Sequence, residues 1–228
     1  MGLNLGRLTQ KRSFTPKETL AVTIQTRLHD KGWLHCNASG NFVVGPSRSD
    51  TKGRIFVIDF EYVRRASTVP KFEHTTNGRN QNFHHCSGVR IKSVYSYTAI
   101  RAMHFHLPYV LDPTYQDDLE GLGYVFSFLE KGELPWSYLC NLKGLSSDSY
   151  LVEVHRRKLT TLVSKLFQGM DPVYVRYFSA IKCLAWDERP DYGAMIKDFM
   201  GVWVSRNYDC TPYEIDWCTD FDDEDDEN

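Results

Sequence analysis

A mainly α-helical fold carrying one small β-hairpin is what this chain of 228 residues predicts. Three observations carry the expectation. Between Tyr115 and Trp136, Leu119, Leu122, Val125/Phe126 and Leu129 recur at three- and four-residue steps, an apolar stripe of helical period. Between Asp171 and Leu184 the same spacing returns in Tyr174, Tyr177/Phe178, Ile181 and Leu184. Two short β-rich runs, Phe42–Val44 and around Ile55–Ile58, are placed to pair with each other.

Composition sets the frame for these elements. Hydrophobic residues make up 42% and charged residues 25%, the balance of a globular chain long enough for one domain with a core. No apolar run approaches the roughly 20 residues that cross a bilayer. Met1–Gly6 lacks the charged and apolar regions of a signal peptide. Gly6 also stands where a myristoylation signal needs Ser or Thr. The six cysteines are scattered without paired zinc spacing, so reduced thiols are expected. These features point to an intracellular protein, cytoplasmic or nuclear. Seven of the acids fall within 220–227, leaving 27 bases against 22 acids, a balance of +5, in the remainder. Residues 218–228 therefore read as a solvated acidic tail and 1–217 as the folded domain.

In chain order, Thr15 and Glu18 form a capping box with Pro16 at the first helical position. Leu20, Ile24 and Leu28 then line one face. The segment from Tyr62 to Leu107 is polar and rich in Arg, Lys, His, Asn and Ser. Within it Arg64, Arg65, Arg90 and Lys92 could form an anion-binding surface, or stand as ordinary solvated bases. His84-His-Cys86 and His104-Phe-His106 match no standard metal-ligand spacing. For the central helix, Asp117 or Asp118 is expected to cap the start, Gly132 to end it and Pro135 to prevent resumption. Ser146–Leu166 reads as a polar linker with an irregular helical stretch, and the segment after it starts cleanly at Asp171-Pro172.

Several motifs in the same order resemble the casein kinase 1 superfamily of protein kinases, which includes the tau-tubulin kinases. Asp117-Asp-Leu-Glu-Gly-Leu-Gly-Tyr124 followed by Leu134-Pro-Trp136 resembles the central helix of that family's large lobe. Trp186-Asp-Glu-Arg-Pro-Asp-Tyr192 resembles the opening of its last helix, and Tyr213-Glu-Ile-Asp-Trp217 the close of its domain. Gly32-Trp-Leu-His-Cys-Asn-Ala-Ser-Gly-Asn-Phe-Val-Val44 resembles its catalytic loop, one residue short. Asp59-Phe-Glu61 resembles its Asp-Phe-Gly signature, with Glu61 in place of the glycine.

The resemblance implies the C-terminal lobe of a kinase fold, with the N-terminal lobe absent, over residues 3–217. It assigns Asp118 to holding the catalytic-loop backbone. Gly123, Trp136, Arg189, Pro190 and Trp217 become structural signatures. It puts Asn37 or Cys36, depending on the alignment, where the family has its catalytic Asp, so no catalytic residue is intact. The loop lysine is replaced by Ala38 or Ser39. Asn41 and Asp59 remain as vestigial magnesium and ATP ligands. Phosphoryl transfer needs the Asp to orient the substrate hydroxyl and accept its proton. The expectation is therefore a pseudokinase that binds a protein through its activation-segment surface. It needs no cofactor and has no nucleic-acid or membrane partner. The alternative is an ATP- and magnesium-dependent serine/threonine kinase whose small lobe is missing from this sequence.

Overall fold

The computed structural model describes residues 4–5, 8–9, 13–25, 32–36, 41–46, 49–66, 114–142, 144, 146–185, 188–215 and 217. Among these residues lie six α-helices: α1 (Pro16–Gln25), α2 (Tyr115–Lys131), α3 (Ser147–Thr160), α4 (Val163–Leu166), α5 (Pro172–Lys182) and α6 (Tyr192–Ser205). Four short strands accompany them: β1 (Trp33–Leu34), β2 (Phe42–Val44), β3 (Ile55–Val57) and β4 (Arg64–Arg65). The predicted hairpin is β2 with β3, antiparallel, pairing Phe42 with Val57 and Val44 with Ile55. A second antiparallel pair, β1 with β4, brings Trp33 opposite Arg65. At two residues each, those strands are too short to leave an alternating pattern. No described helix is long and apolar enough to cross a membrane.

The cap of the central helix α2 lies three residues before the first of the two expected carboxylates. Thr114 is its cap: its hydroxyl accepts from the Asp117 N–H, and Asp117 accepts in return from the Thr114 N–H at 2.7 Å. Asp117 is therefore the third residue of a capping box rather than the cap, and Asp118 has no part in that box. Gly132 ends the helix in the left-handed region at φ 75°, as its sequence position predicts. Burial is not confined to the apolar stripe. Asp117, Asp118, Glu120 and Ser127 are buried along with Leu119, Leu122, Val125, Phe126 and Leu129. A helix enclosed on all sides is a core helix.

Most of the polar groups so buried are bonded, although Glu120 Oε2 has no hydrogen-bond partner. Glu120, with no exposed surface, accepts from the Tyr124 hydroxyl and faces Lys182 Nζ at 2.8 Å. Burial, and then the Glu120 charge, hold the Tyr124 hydroxyl well above its usual titration range. The Tyr177 hydroxyl donates to the Leu119 carbonyl at 3.0 Å, and the Gln116 amide to that of Ile181 at 3.0 Å. These bonds fasten α2 to α5. Gly123 allows the close approach, since a Cβ there would stand 2.4 Å from Phe178 Cδ2.

Helix α5 buries Tyr174, Tyr177, Phe178 and Ile181, with Leu184 partly buried just beyond its end. Asp171 caps it by accepting from Val173 N–H at 3.0 Å. In α1 the Thr15–Glu18 box is present, with the Thr15 N–H donating to Glu18 Oε2 at 2.7 Å. The buried surface of α1 is broader than the expected stripe. All six residues from Glu18 to Thr23 are buried, because the helix is enclosed by α2 and α6. The Ile24 side chain and Leu28 lie outside the described residues.

The expected irregular stretch after Ser146 is instead a regular 14-residue helix, α3, capped by Ser146. Its buried line is Tyr150, Val154 and Lys158. That line has helical spacing, but one member is a lysine. The Lys158 stem is covered, and its ammonium lies 5.0 Å from the centre of the Tyr124 ring. Trp136, fully buried, meets the same Tyr124 ring edge-on at 5.3 Å. Asp191 caps α6, following exposed Arg189 and buried Pro190; Trp186 lies outside the described residues. Trp217 is buried against Phe14, with ring centres 5.5 Å apart, and donates its indole N–H to the Gly53 carbonyl.

Candidate functional site

The carboxylate of Asp118, in the first turn of α2, reaches the loop that follows β1. Its Oδ2 accepts from the His35 backbone N–H at 2.5 Å and its Oδ1 from the Cys36 N–H at 2.9 Å. A single carboxylate thus clamps two successive peptide groups, a charge-assisted pair of bonds in a buried setting. The resemblance gives Asp118 this kind of role. Asp118 stands outside the Thr114 capping box, which takes Asp117 instead.

His35 joins the clamp to the second half of the site. Its ring is buried, its Nε2 lies 2.9 Å from the Ile58 carbonyl oxygen, and its face is 5.6 Å from Phe60. The Ile58 N–H in turn donates to the Asn41 carbonyl at 2.9 Å, extending the hairpin by one rung. Loop, hairpin and central helix are therefore tied through one histidine. The resemblance to a catalytic loop spans His35 but gives it no role. Its burial between two elements has no local sequence signal, because its partners come from positions 58, 60 and 118.

Beyond the hairpin, Asn41 Nδ2 donates to Asp59 Oδ2 at 3.2 Å in an exposed setting. The structure thus brings together the two residues named as vestigial ligands. Asp59 sits in the left-handed region at φ 64°, ψ 70°, immediately before a short 3-10 turn, Phe60–Tyr62. Glu61 lies inside that turn. A Cβ at position 61 is accommodated there by a helical backbone, and the unusual conformation falls on Asp59 instead. Cys36 is the other left-handed residue of the site, at φ 60°. Each such residue costs about 1–2 kcal/mol, held in place here by the hydrogen bonds around it.

Cys36, one of the two candidates for the catalytic Asp position, is half-buried with its N–H committed to Asp118. The other candidate, Asn37, lies outside the described residues, as do Ala38 and Ser39. So do Arg90, Lys92, His84-His-Cys86, His104-Phe-His106 and the tail 218–228. Of the basic residues beside the site, Arg65 places its guanidinium 5.5 Å from the centre of the Trp33 ring.

As a magnesium site, the amide oxygen of Asn41 and the carboxylate of Asp59 are hard oxygen donors of the right kind. They are two ligands where the ion takes six, so phosphates and waters would have to supply the rest. Among the described residues no group of three or more His, Cys, Asp or Glu is placed to hold a metal ion. The chain as a whole matches no protein-family model.

Proposed function

We propose that this chain is the large lobe of a casein kinase 1-like protein kinase domain that lacks phosphoryl transfer and acts as a protein-binding module. The observation that supports this most is the Asp118 clamp on the His35 and Cys36 amides. It keeps a loop in a defined, partly strained shape although neither residue at the catalytic position can serve as a carboxylate base. An Asn amide takes no proton near neutral pH, and the Cys36 backbone is held for structure. The partner is a protein recognised through the segment from Tyr62 to Leu107; neither nucleic acid nor membrane enters this reading.

The pairing of Asn41 with Asp59 favours a second reading, a serine/threonine kinase whose small lobe is missing from this sequence. In that case the two residues would hold magnesium, which offsets the negative charge of a transferring phosphoryl group. The chain's own part would be to hold the ion through Asn41 and Asp59, with Asp118 keeping the loop in register.

Incubation of the purified chain with labelled ATP, magnesium and an acidic casein-like substrate separates the two. Loss of the catalytic base and loop lysine costs several orders of magnitude in rate, so the expected result is no transfer. ATP with magnesium should also leave the melting temperature unchanged. Transfer that disappears in Asp59→Ala would overturn the binding-only reading.

A further inference from the structure

Between α5 and α6 lies a groove of about 470 Å³ that shares no residue with the clamp or the Asn41–Asp59 pair. Each helix gives it one continuous side. Val173, Arg176, Tyr177 and Ala180 come from α5, spaced at i, i+3, i+4 and i+7. The same spacing returns opposite, in Asp191 at the cap of α6 and in Ala194, Met195 and Asp198 within it. The floor is apolar: Tyr177 and Phe199 are buried, with ring centres 5.5 Å apart. Ala180 and Ala194 are exposed, and their short side chains leave room for another backbone to come close.

The rim is charged, and unevenly. Glu188, Asp191 and Asp198 stand against a single guanidinium, that of Arg176. Two of these carboxylates also serve locally. Glu188 accepts from the Ala185 N–H and Asp191 from the Ala194 N–H, each at 2.9 Å. Among the described residues, Asp198 and Arg176 make no hydrogen bond or ion pair, although they line opposite walls of one groove.

We propose that this groove docks a basic amphipathic helix of a partner protein, its apolar side on Tyr177 and Phe199 and its lysines or arginines against the three carboxylates. Charge selects the sign of the partner, since three carboxylates to one guanidinium attract a basic helix and repel an acidic one. The two walls select its form. A third helix can lay a ridge of side chains between two helix faces, and each face here extends about 12–15 Å, more than one inserted side chain would use. Arg176, the lone cation, is suited to the partner's carbonyl groups. This surface lies on other elements than the segment from Tyr62 to Leu107, so it stands whether or not that segment binds.

The test uses the full chain with carbon-13 methionine methyls and a leucine–lysine amphipathic peptide of about four helical turns. Met195 lines the groove, so its methyl signal, identified by its loss in Met195→Leu, should move as peptide is added. Asp198→Lys reverses a rim charge and Ala180→Trp fills the groove; each should weaken binding roughly tenfold or more. A leucine–glutamate peptide should not bind, and a serine–lysine peptide should bind far more weakly. An unmoved Met195 signal would overturn the proposal, and that readout decides if either variant does not fold. Equal affinity in wild type and both variants would also overturn it, by assigning the attraction to acids elsewhere, such as those of 220–227. So would equal binding of the serine–lysine peptide, which reduces the contact to charge alone. Benzamidine moving Met195 as strongly as the peptide at equal concentration would replace the helix with a small-molecule cation.

Discussion

Around Phe178 the chain is held by rings; around His35 it is held by one carboxylate. The Phe178 ring touches those of Tyr124 and Phe167, each at 5.4 Å between centres, and Tyr174 and Tyr177 each reach Phe199. Such contacts are individually worth about 0.5–1.5 kcal/mol beyond the area they bury, and no single one is indispensable. At the hairpin end the strands are two or three residues long, and Trp33, Phe56, Ile58 and Phe60 are exposed. Order there depends on Asp118 and His35. The difference teaches where stability and where shape are stored. The body holds the free energy, and the clamp transmits a defined position to a loop that could not hold it alone.

The comparison breaks most visibly in the body. Phe178→Ala should lower unfolding free energy by about 3–5 kcal/mol in a denaturant titration, the cost of a large cavity among packed rings. A loss below about 1 kcal/mol would mean that the ring cluster collapses to fill the space. At the clamp, Asp118→Ala should cost about 1–3 kcal/mol, because it strands the His35 and Cys36 amides. Hydrogen exchange sharpens that expectation: those two amides should exchange faster while the α5 amides keep their protection. Equal acceleration in both places would mean that the clamp and the body form one cooperative unit. The smallest effect is expected at Cys36→Gly, which relieves a left-handed backbone and should raise stability by up to about 1 kcal/mol. A clear loss would show that the Cys36 side chain does more than occupy the loop.

The body was the more legible region. Tyr174, Tyr177, Phe178 and Ile181 announce α5 by spacing alone, and all four are buried. The Thr15–Glu18 box and the Gly132 stop could likewise be read locally, since each involves residues within one turn. Helix α3 could not, because its buried line ends in Lys158, whose aromatic partners Tyr124 and Trp136 lie far away in the chain. The site was legible only in part. Asn41 and Asp59 were identified as a pair through the resemblance, and they face each other. The left-handed conformation of Cys36 had no signal, because cysteine is not a residue that favours it and the cause is a carboxylate 82 positions later. Asp117 and Asp118 were indistinguishable as caps until Thr114 was seen to take that position.

The indole of Trp217 bonded to the Gly53 carbonyl joins positions 164 residues apart. Phe14, pressed against the same indole, and Lys17, paired with Asp209 at 2.8 Å, draw the first helix into the same closure. During synthesis the hairpin turn and α1 therefore leave the ribosome long before their final contacts exist. At roughly 5–20 residues per second, that interval lasts on the order of ten seconds or more. Throughout it the turn at Gly53 and the ring of Phe14 await a tryptophan that has not yet been made. A nascent chain stalled just short of Trp217 should consequently be more open to protease around α1 and the hairpin than the released protein.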